Sequence, residues 1–213
     1  MATTVAFVSK GREIVSGRLT GAGAPSQAEP KNLGWGTGAG TAAATDVAPF
    51  AEAAESRVAG TSSLVTTTST NDTYQVAGTL TSASGQTITE TFLSDSASKP
   101  AATTANGAIA STSSTSITVT SASGFPGSGN YNIQIDSEVL QVTGGQGTTT
   151  WTVVRGVNGS TAATHSNGAV ITGGNAPGSA AVTNGSLLIH ASFTGLALNN
   201  GDSLTATTKL SFS

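Results

Sequence analysis

The sequence contains no cysteine, so disulfide bridges, thiolate metal sites and cysteine nucleophiles are all excluded. Charged residues make up only 9% of the chain, and its eight lysines and arginines are scattered instead of forming the basic stripe that tracks phosphates. No apolar run approaches the roughly 18 residues that cross a membrane, and the first residues lack the apolar core of a signal peptide. These absences predict a soluble chain made in the cytoplasm, with neither nucleic acid nor membrane as a partner.

Small hydroxyl side chains are abundant in the sequence. Threonine (36) and serine (28) together occupy 64 of the 213 positions, beside 27 glycines. Such a composition, with only 5% aromatic residues, can indicate a disordered linker. Disorder usually accompanies a high net charge, however, and this chain carries only −3. Because Val, Ile and Thr also recur in alternating runs that suit a pleated, half-buried surface, we predict an all-β protein that belongs to a packed assembly.

The order of patterns along the chain predicts a small β domain with one short helix. Residues 1–31 are predicted to form an N-terminal strand and then an extended arm, because Gly, Ala and Pro are frequent over 17–31. Residues 46–58 are typical of a helix, since Asp46 can cap the start, Pro49 suits the first turn and Gly60 follows the end. A period of two then predicts an antiparallel sandwich or partly closed barrel with the strands 63–68, 73–80, 87–93, 185–193 and 203–212.

Residues 124–169 carry a recurring pattern of strands and tight turns. The segment closely resembles a small β module of tailed-bacteriophage virion proteins, which has two consecutive motifs, FPxSGxxxIxIDxExxxV and TxTVxRGxxGTxAxxHxxGA. The residues that match the first motif are Phe125, Pro126, Ser128, Gly129, Ile133, Ile135, Asp136, Glu138 and Val142. The residues that match the second motif are Thr152, Val153, Arg155, Gly156, Gly159, Ser160, Ala162, His165, Gly168 and Ala169. The resemblance implies a component of a phage particle, with Phe125, Asp136, Glu138, Arg155 and His165 as the structural motif of the module.

The rest of the chain has a resemblance of its own. Residues 33–82, 87–96 and 187–213 look like a group of small phage structural proteins, in which the two strands matching 87–96 and 187–193 are joined by a short loop. Here about 80 residues intervene, which implies that a second module is inserted in a surface loop, where insertions are tolerated. We therefore expect a discontinuous β frame (32–96 and 185–213) and an inserted module (108–173). Linkers are expected at 97–107 and 174–184.

The two histidines of the chain are candidates for a chemical site. A nucleophilic enzyme needs a base that is held near its nucleophile by a third group. His165 lies among turn residues, and we expect a structural ring that is hydrogen-bonded to backbone near Arg155. His190 lies in an alternating strand, which predicts a position on the strand surface. The glycines of residues 34–40 match neither a Walker A motif nor a dinucleotide fingerprint. We expect no enzymatic activity and no cofactor.

Asp136 and Glu138 form the best carboxylate pair. If they lie two apart on a strand, both side chains project to one face. Such a pair suits acid–base hydrolysis of glycosides or the binding of a hard cation such as calcium. The structural alternative is that the carboxylates face solvent or pair with Arg155 across a hairpin. We favour this alternative and expect no metal site.

The resemblances imply a head decoration (cement) protein that binds the outside of the capsid. Its expected partners are the major capsid protein and copies of itself, as a trimer, and its expected location is the virion. We name Trp35, Phe50, Arg12 and Arg18 as candidate interface residues. One alternative is a tail, fibre or baseplate component whose module contacts the host surface. Another is a carbohydrate-binding or carbohydrate-active protein with a site at Asp136, Glu138, Tyr131 and Trp151.

Overall fold

The computed structural model describes residues 3–20, 28–174 and 185–212, and it confirms the all-β prediction. Within these residues the chain forms antiparallel sheets and one helix. The N-terminal elements are β1 (Thr3–Phe7), α1 (Ser9–Thr20), β2 (Asn32–Gly36), β3 (Val58–Ala59), β4 (Thr61–Val65), β5 (Thr73–Thr81) and β6 (Gln86–Ser94). The remaining elements are β7 (Ala102–Thr104), β8 (Ser116–Thr118), β9 (Tyr131–Ile135), β10 (Glu138–Gly144), β11 (Thr150–Val154), β12 (Val170–Gly174), β13 (Leu187–Leu198) and β14 (Ser203–Ser211).

The frame consists of two sheets that share one apolar core. A five-stranded sheet has the order β1-β13-β6-β2-β3, and a three-stranded sheet has the order β14-β5-β4. Gly60 separates β3 from β4, so the chain passes there from one sheet to the other. The connections between β5 and β6 and between β13 and β14 also pass from one sheet to the other, which gives a half-barrel. Its interior is filled by Leu33, Trp35, Ala53, Val76, Leu80, Ile88, Leu93, Leu188 and Ile189.

The helix lies at Ser9–Thr20, inside the region for which we predicted a strand and an extended arm. Its sequence, SKGREIVSGRLT, includes two glycines and is a poor helix former. Packing holds it in place, because Ile14 is buried and Gly11 lies so close to β13 that an added Cβ would sit 2.5 Å from the carbonyl oxygen of Leu188. Within the described residues, no helix has the length and apolar character that a membrane crossing requires.

The helix predicted at 46–58 is wrong. Residues 46–57 form an irregular loop with a single β-bridge, between Gly36 and Glu52, and Val58 begins β3. Side chains from distant strands bind its backbone N–H groups: those of Val47 and Ala48 donate to Gln134, and those of Phe50 and Ala51 donate to Glu90. The N–H groups of Phe50 and Ala51, which a helix would use internally, are therefore occupied by tertiary hydrogen bonds, and these outweigh the local helix signals.

The inserted module is a six-stranded barrel with the order β7-β12-β9-β10-β11-β8. The two outer strands meet beyond their ends through a bridge between Ala105 and Val119, and the N–H of Asn106 donates to the carbonyl of Thr118. The sheet therefore closes on itself. Aromatic rings fill its interior, with the centroid of Trp151 5.0 Å from that of Phe125 and 6.0 Å from that of Tyr131.

The module begins earlier than predicted. Because β7 pairs with β12 and Ala105 is buried, part of the predicted linker 97–107 belongs to the barrel. Gly174 of the second predicted linker ends β12, and residues 175–184 lie outside the described part of the chain. The chain leaves the frame after β6 and returns in β13, and these strands pair with each other from Ser94 and Leu187 onward.

We expect Gly60→Ala to destabilise the frame. A Cβ at Gly60 would lie 2.6 Å from a methyl carbon of Val76 and 2.9 Å from the carbonyl oxygen of Ala77, so the two sheets would have to move apart. Overpacking of this kind costs about 1–3 kcal/mol, which urea unfolding would measure. Gly85→Ala is the matched control, because a Cβ there meets no atom within 4 Å. Equal stability of the two variants would contradict the close packing at Gly60.

Candidate functional site

Four of the five motif residues of the module, all but Phe125, form one cluster of charged side chains at a β-hairpin. Asp136 lies in the two-residue turn between β9 and β10 with a left-handed backbone (φ 51°), and Glu138 is the first residue of β10. The prediction that both carboxylates lie on one strand is therefore wrong. Arg155 directly follows β11, and His165 lies in the loop before β12, where its backbone pairs with Ile109.

Glu138 is the centre of this cluster. Its two carboxylate oxygens accept hydrogen bonds from Nε and Nη2 of Arg155, both at 2.7 Å, in a bidentate ion pair. One ring nitrogen of His165 lies 2.8 Å from Glu138, and the other lies 2.8 Å from Asp136. The backbone N–H groups of Gly156 and Ala163 also donate to Glu138. The predicted pairing of Glu138 with Arg155 is thus present, whereas His165 binds carboxylates through its ring instead of backbone.

The electrostatics of the cluster favour its charged form. Burial raises the pKa of Glu138, but the hydrogen bonds from His165 and Arg155 outweigh this effect and lower it to about 2. Burial lowers the pKa of His165, yet the two carboxylates outweigh burial and raise it. Both ring nitrogens of His165 are occupied, so neither can accept a proton or bind a metal ion unless the cluster opens. In the described ranges, no three His, Asp or Glu side chains are arranged to hold a metal ion.

The frame contains a second cluster with the same composition. His190 of β13 lies 2.6 Å from Asp46 through Nδ1 and 2.8 Å from Glu90 of β6 through Nε2. All three side chains are fully buried, so the prediction of a surface position for His190 is wrong. The loop that we predicted as a helix covers the ring, with the centroid of Phe50 4.6 Å away.

Protonation of His190 is favoured by its two neighbours. Burial lowers the pKa of His190, but Asp46 and Glu90 outweigh burial and raise it to about 9. Burial also raises the pKa of Glu90, and the hydrogen bond and charge of His190 outweigh it, so that the net shift is downward. Sequence reasoning missed this cluster. The carboxylate of Glu90 within an otherwise uncharged strand was the available signal, because a charge in a buried strand needs a partner.

Gln134 of β9 connects the two clusters. Its carbonyl oxygen accepts from the N–H groups of Val47 at 2.8 Å and Ala48 at 3.1 Å. Its amide nitrogen donates to the carboxylate of Asp46 and to the backbone oxygen of Asp136, each at 3.0 Å. A continuous polar chain therefore runs from the frame to the module, with the order Glu90, His190, Asp46, Gln134, Asp136, His165, Glu138 and Arg155. We call it the polar chain.

The junction also has an apolar part. Val47 of the frame loop packs against Val139 of β10, and both are buried. Gly174 approaches Val47 so closely that an added Cβ would lie 2.3 Å from the valine side chain. Asn158 donates a hydrogen bond to the backbone oxygen of Thr45 at 2.8 Å. Packing and hydrogen bonds together fix the position of the module on the frame.

The candidate interface residues divide into two pairs. Trp35 and Phe50 are buried inside the frame, and the indole N–H of Trp35 donates to Glu55. Arg12 and Arg18 are exposed on α1, and the guanidinium of Arg12 lies 5.9 Å from the ring centroid of Phe7. Arg18 lines a groove of about 470 Å³ beside Ile14, Leu19, Tyr74, Leu210 and Phe212.

The residues of the hypothetical carbohydrate site do not form an exposed platform. Tyr131 and Trp151 are 1% and 0% exposed, and both point into the module barrel. Glu138 is bound by Arg155 and His165. A sugar could stack on neither ring without unfolding the barrel.

The chain has no match among family models, curated proteins or solved structures.

Raising the pH should weaken the folded state through His190. The pKa of a histidine in an unfolded chain is about 6.5, and that of His190 in the folded protein is about 9. Its contribution is therefore complete below about pH 6.5 and is lost as the pH rises through 9, a total of about 3 kcal/mol. We expect the free energy of unfolding, followed by tryptophan fluorescence, to decline between pH 7 and 9.5.

The matched variant for the pH dependence is His190→Gln. It should be less stable than the parent at pH 7, and its free energy of unfolding should fall less steeply with pH, because only His165 still contributes. An equally steep decline in both proteins would show that His190 does not bind an extra proton in the folded state.

The variant Gln134→Glu tests the polar chain. It places a second carboxylate where the amide now lies 3.0 Å from Asp46, so the junction must bear a repulsion or take up a proton. We expect a loss of about 3 kcal/mol in the free energy of unfolding at pH 7. Gln75→Glu, on the half-exposed strand β5, is the control and should cost far less. Equal losses would rule out a special role for Gln134.

Proposed function

We propose that this protein is a structural component of a tailed-bacteriophage virion, a decoration protein that binds the outer surface of the head. The observation that carries the proposal is the residue pattern of the module, reinforced by the pattern of the frame. Residues shared with the phage module hold this barrel together: Glu138, Arg155 and His165 close the hairpin, and Phe125 lies in the core. The shared pattern thus coincides with the residues on which this fold depends.

The architecture suits a binding role better than a catalytic one. Both histidines have their ring nitrogens bound by carboxylates, and the bidentate pair of Glu138 and Arg155 is saturated by further hydrogen bonds. The polar chain holds the module in one orientation on the frame. A rigid body of two parts can present the same surface at every equivalent lattice position, and repetition then compensates for modest affinity at each site.

The partners that we propose are the major capsid protein and further copies of this chain, arranged as a trimer at a symmetric position of the lattice. Arg12 and Arg18 remain the candidate contact residues, because both are exposed on α1. Trp35 and Phe50 act inside the frame, where they support the core and the ring of His190. The module is joined to the frame loop through β9, β10 and the loop after β11.

Separation of heads from tails of purified particles tests the proposal. Quantitative gels should find the protein on heads, in many copies and in a fixed ratio to the major capsid protein. Purified protein should also bind heads that lack it, and an Arg12→Glu/Arg18→Glu variant should bind more weakly. Lys99→Glu reverses one charge on the segment between frame and module, and it is the charge-matched control for the single variants Arg12→Glu and Arg18→Glu. A few copies found only on tails would overturn the proposal and indicate a receptor-binding or baseplate part.

A further inference from the structure

Strand β14 is an open edge of the frame. It pairs with β5 over its whole length, from Ser203 opposite Thr81 to Ser211 opposite Thr73, without a register shift. Among the described strands, none pairs with its other side. An edge strand of this kind presents a row of N–H and C=O groups to any extended chain that reaches it.

The edge has few of the features that prevent strand addition. Natural proteins protect edges with proline, bulges, several charges or a covering element. Residues 203–211 contain no proline, their register is unbroken, and Lys209 is their only charged residue. Their exposure alternates, with residues 204, 206, 208 and 210 half-buried and residues 205, 207 and 209 exposed. The edge is therefore regular enough to accept a second strand.

The sequence of β14 indicates that the added strand is a copy of β14 itself. Residues 204–210 read LTATTKL, which is close to a palindrome around Thr207. In an antiparallel pair of two identical strands with Thr207 at the axis, Leu204 lies opposite Leu210 and Ala206 opposite Thr208. On the exposed face Thr205 lies opposite Lys209, and Thr207 meets its own copy. Apolar side chains thus meet on the inner face, and the two lysines do not face each other.

We propose that two copies of this chain associate through β14, in antiparallel register about Thr207, so that their three-stranded sheets join into one sheet of six strands. The contact uses the same surface of both copies, so it closes at two. It is separate from any three-fold contact on a lattice. The strand is compatible with a copy of itself, because leucine meets leucine and the two lysines stay apart, which favours a second copy over an unrelated peptide.

Single cysteines test both the contact and its register, because the chain has none of its own. Residues opposite each other at the axis of an antiparallel pair have Cα atoms about 4.5–5.5 Å apart, a separation that a disulfide can span. Under mild oxidation, Thr207→Cys should therefore give a covalent dimer on a non-reducing gel. Thr205→Cys should not, because its two copies would lie about 14 Å apart, four residues of strand rise.

Thr79→Cys is the matched control. Thr79 is exposed, lies on the central strand β5 and is hydrogen-bonded to Thr205, so it has the same surroundings without being at the edge. We expect no covalent dimer from it. If all three variants cross-link at similar rates, the contacts arise from random collisions and the proposal is overturned.

Sedimentation provides a second readout, and its measurement on the unmodified protein does not depend on how any variant folds. We expect dimers that dissociate on dilution, and monomers for Thr207→Lys, which places two like charges opposite each other. Thr79→Lys should remain dimeric. A parent protein that stays monomeric at its highest soluble concentration would overturn the proposal, as would a Thr207→Lys variant that dimerises like the parent.

Discussion

A buried chain of hydrogen-bonded charges determines how the two parts of this protein fit together. Carboxylates and imidazolium rings alternate along it, and all of them are removed from water except Asp136, whose side chain is half exposed. A buried charge is costly unless an opposite charge and further donors or acceptors satisfy it. Along the polar chain every charge has such partners, so the loss of one member leaves its neighbours uncompensated. The fold therefore depends on Gln134, the one neutral side chain in the series, which connects the frame with the module.

The need of buried charges for partners also explains the irregular loop that covers His190. The carboxylate of Glu90 accepts the N–H groups of Phe50 and Ala51, and Asp46 accepts that of Ala43. These hydrogen bonds satisfy the two carboxylates that pair with His190, and they also satisfy backbone N–H groups of an irregular segment. A helix over residues 46–58 would have used the N–H groups of Phe50 and Ala51 internally and left Glu90 with fewer partners for its charge. Tertiary electrostatics thus outweigh a local preference of a few tenths of a kcal/mol per residue.

Regular features of the fold were accessible from the sequence, and those that depend on distant partners were not. The period of two located β5, β6 and β14 within one residue at each end, because alternation follows directly from burial of one strand face; it also found the start of β13 but ended that strand five residues early. The helix α1 was missed, since packing, such as the burial of Ile14 and the contact of Gly11 with Leu188, stabilises it against a poor local propensity. In the candidate site, the pair of Glu138 and Arg155 could be foreseen from hairpin geometry. His190 could not, because its neighbours Asp46 and Glu90 are 144 and 100 positions away along the chain.

The closed barrel of the module has a consequence for the evolution of such chains. Because its two outer strands, β7 and β8, meet at Ala105 and Val119, the module exposes no row of unpaired backbone groups. A unit without a strand edge can be placed in the loop of an unrelated host without giving that host a new tendency to aggregate. The host needs only a surface connection and a few complementary side chains, here Asp46 and Val47, which contact Gln134 and Val139 of the module. Such a unit can move between proteins at little risk to their folding.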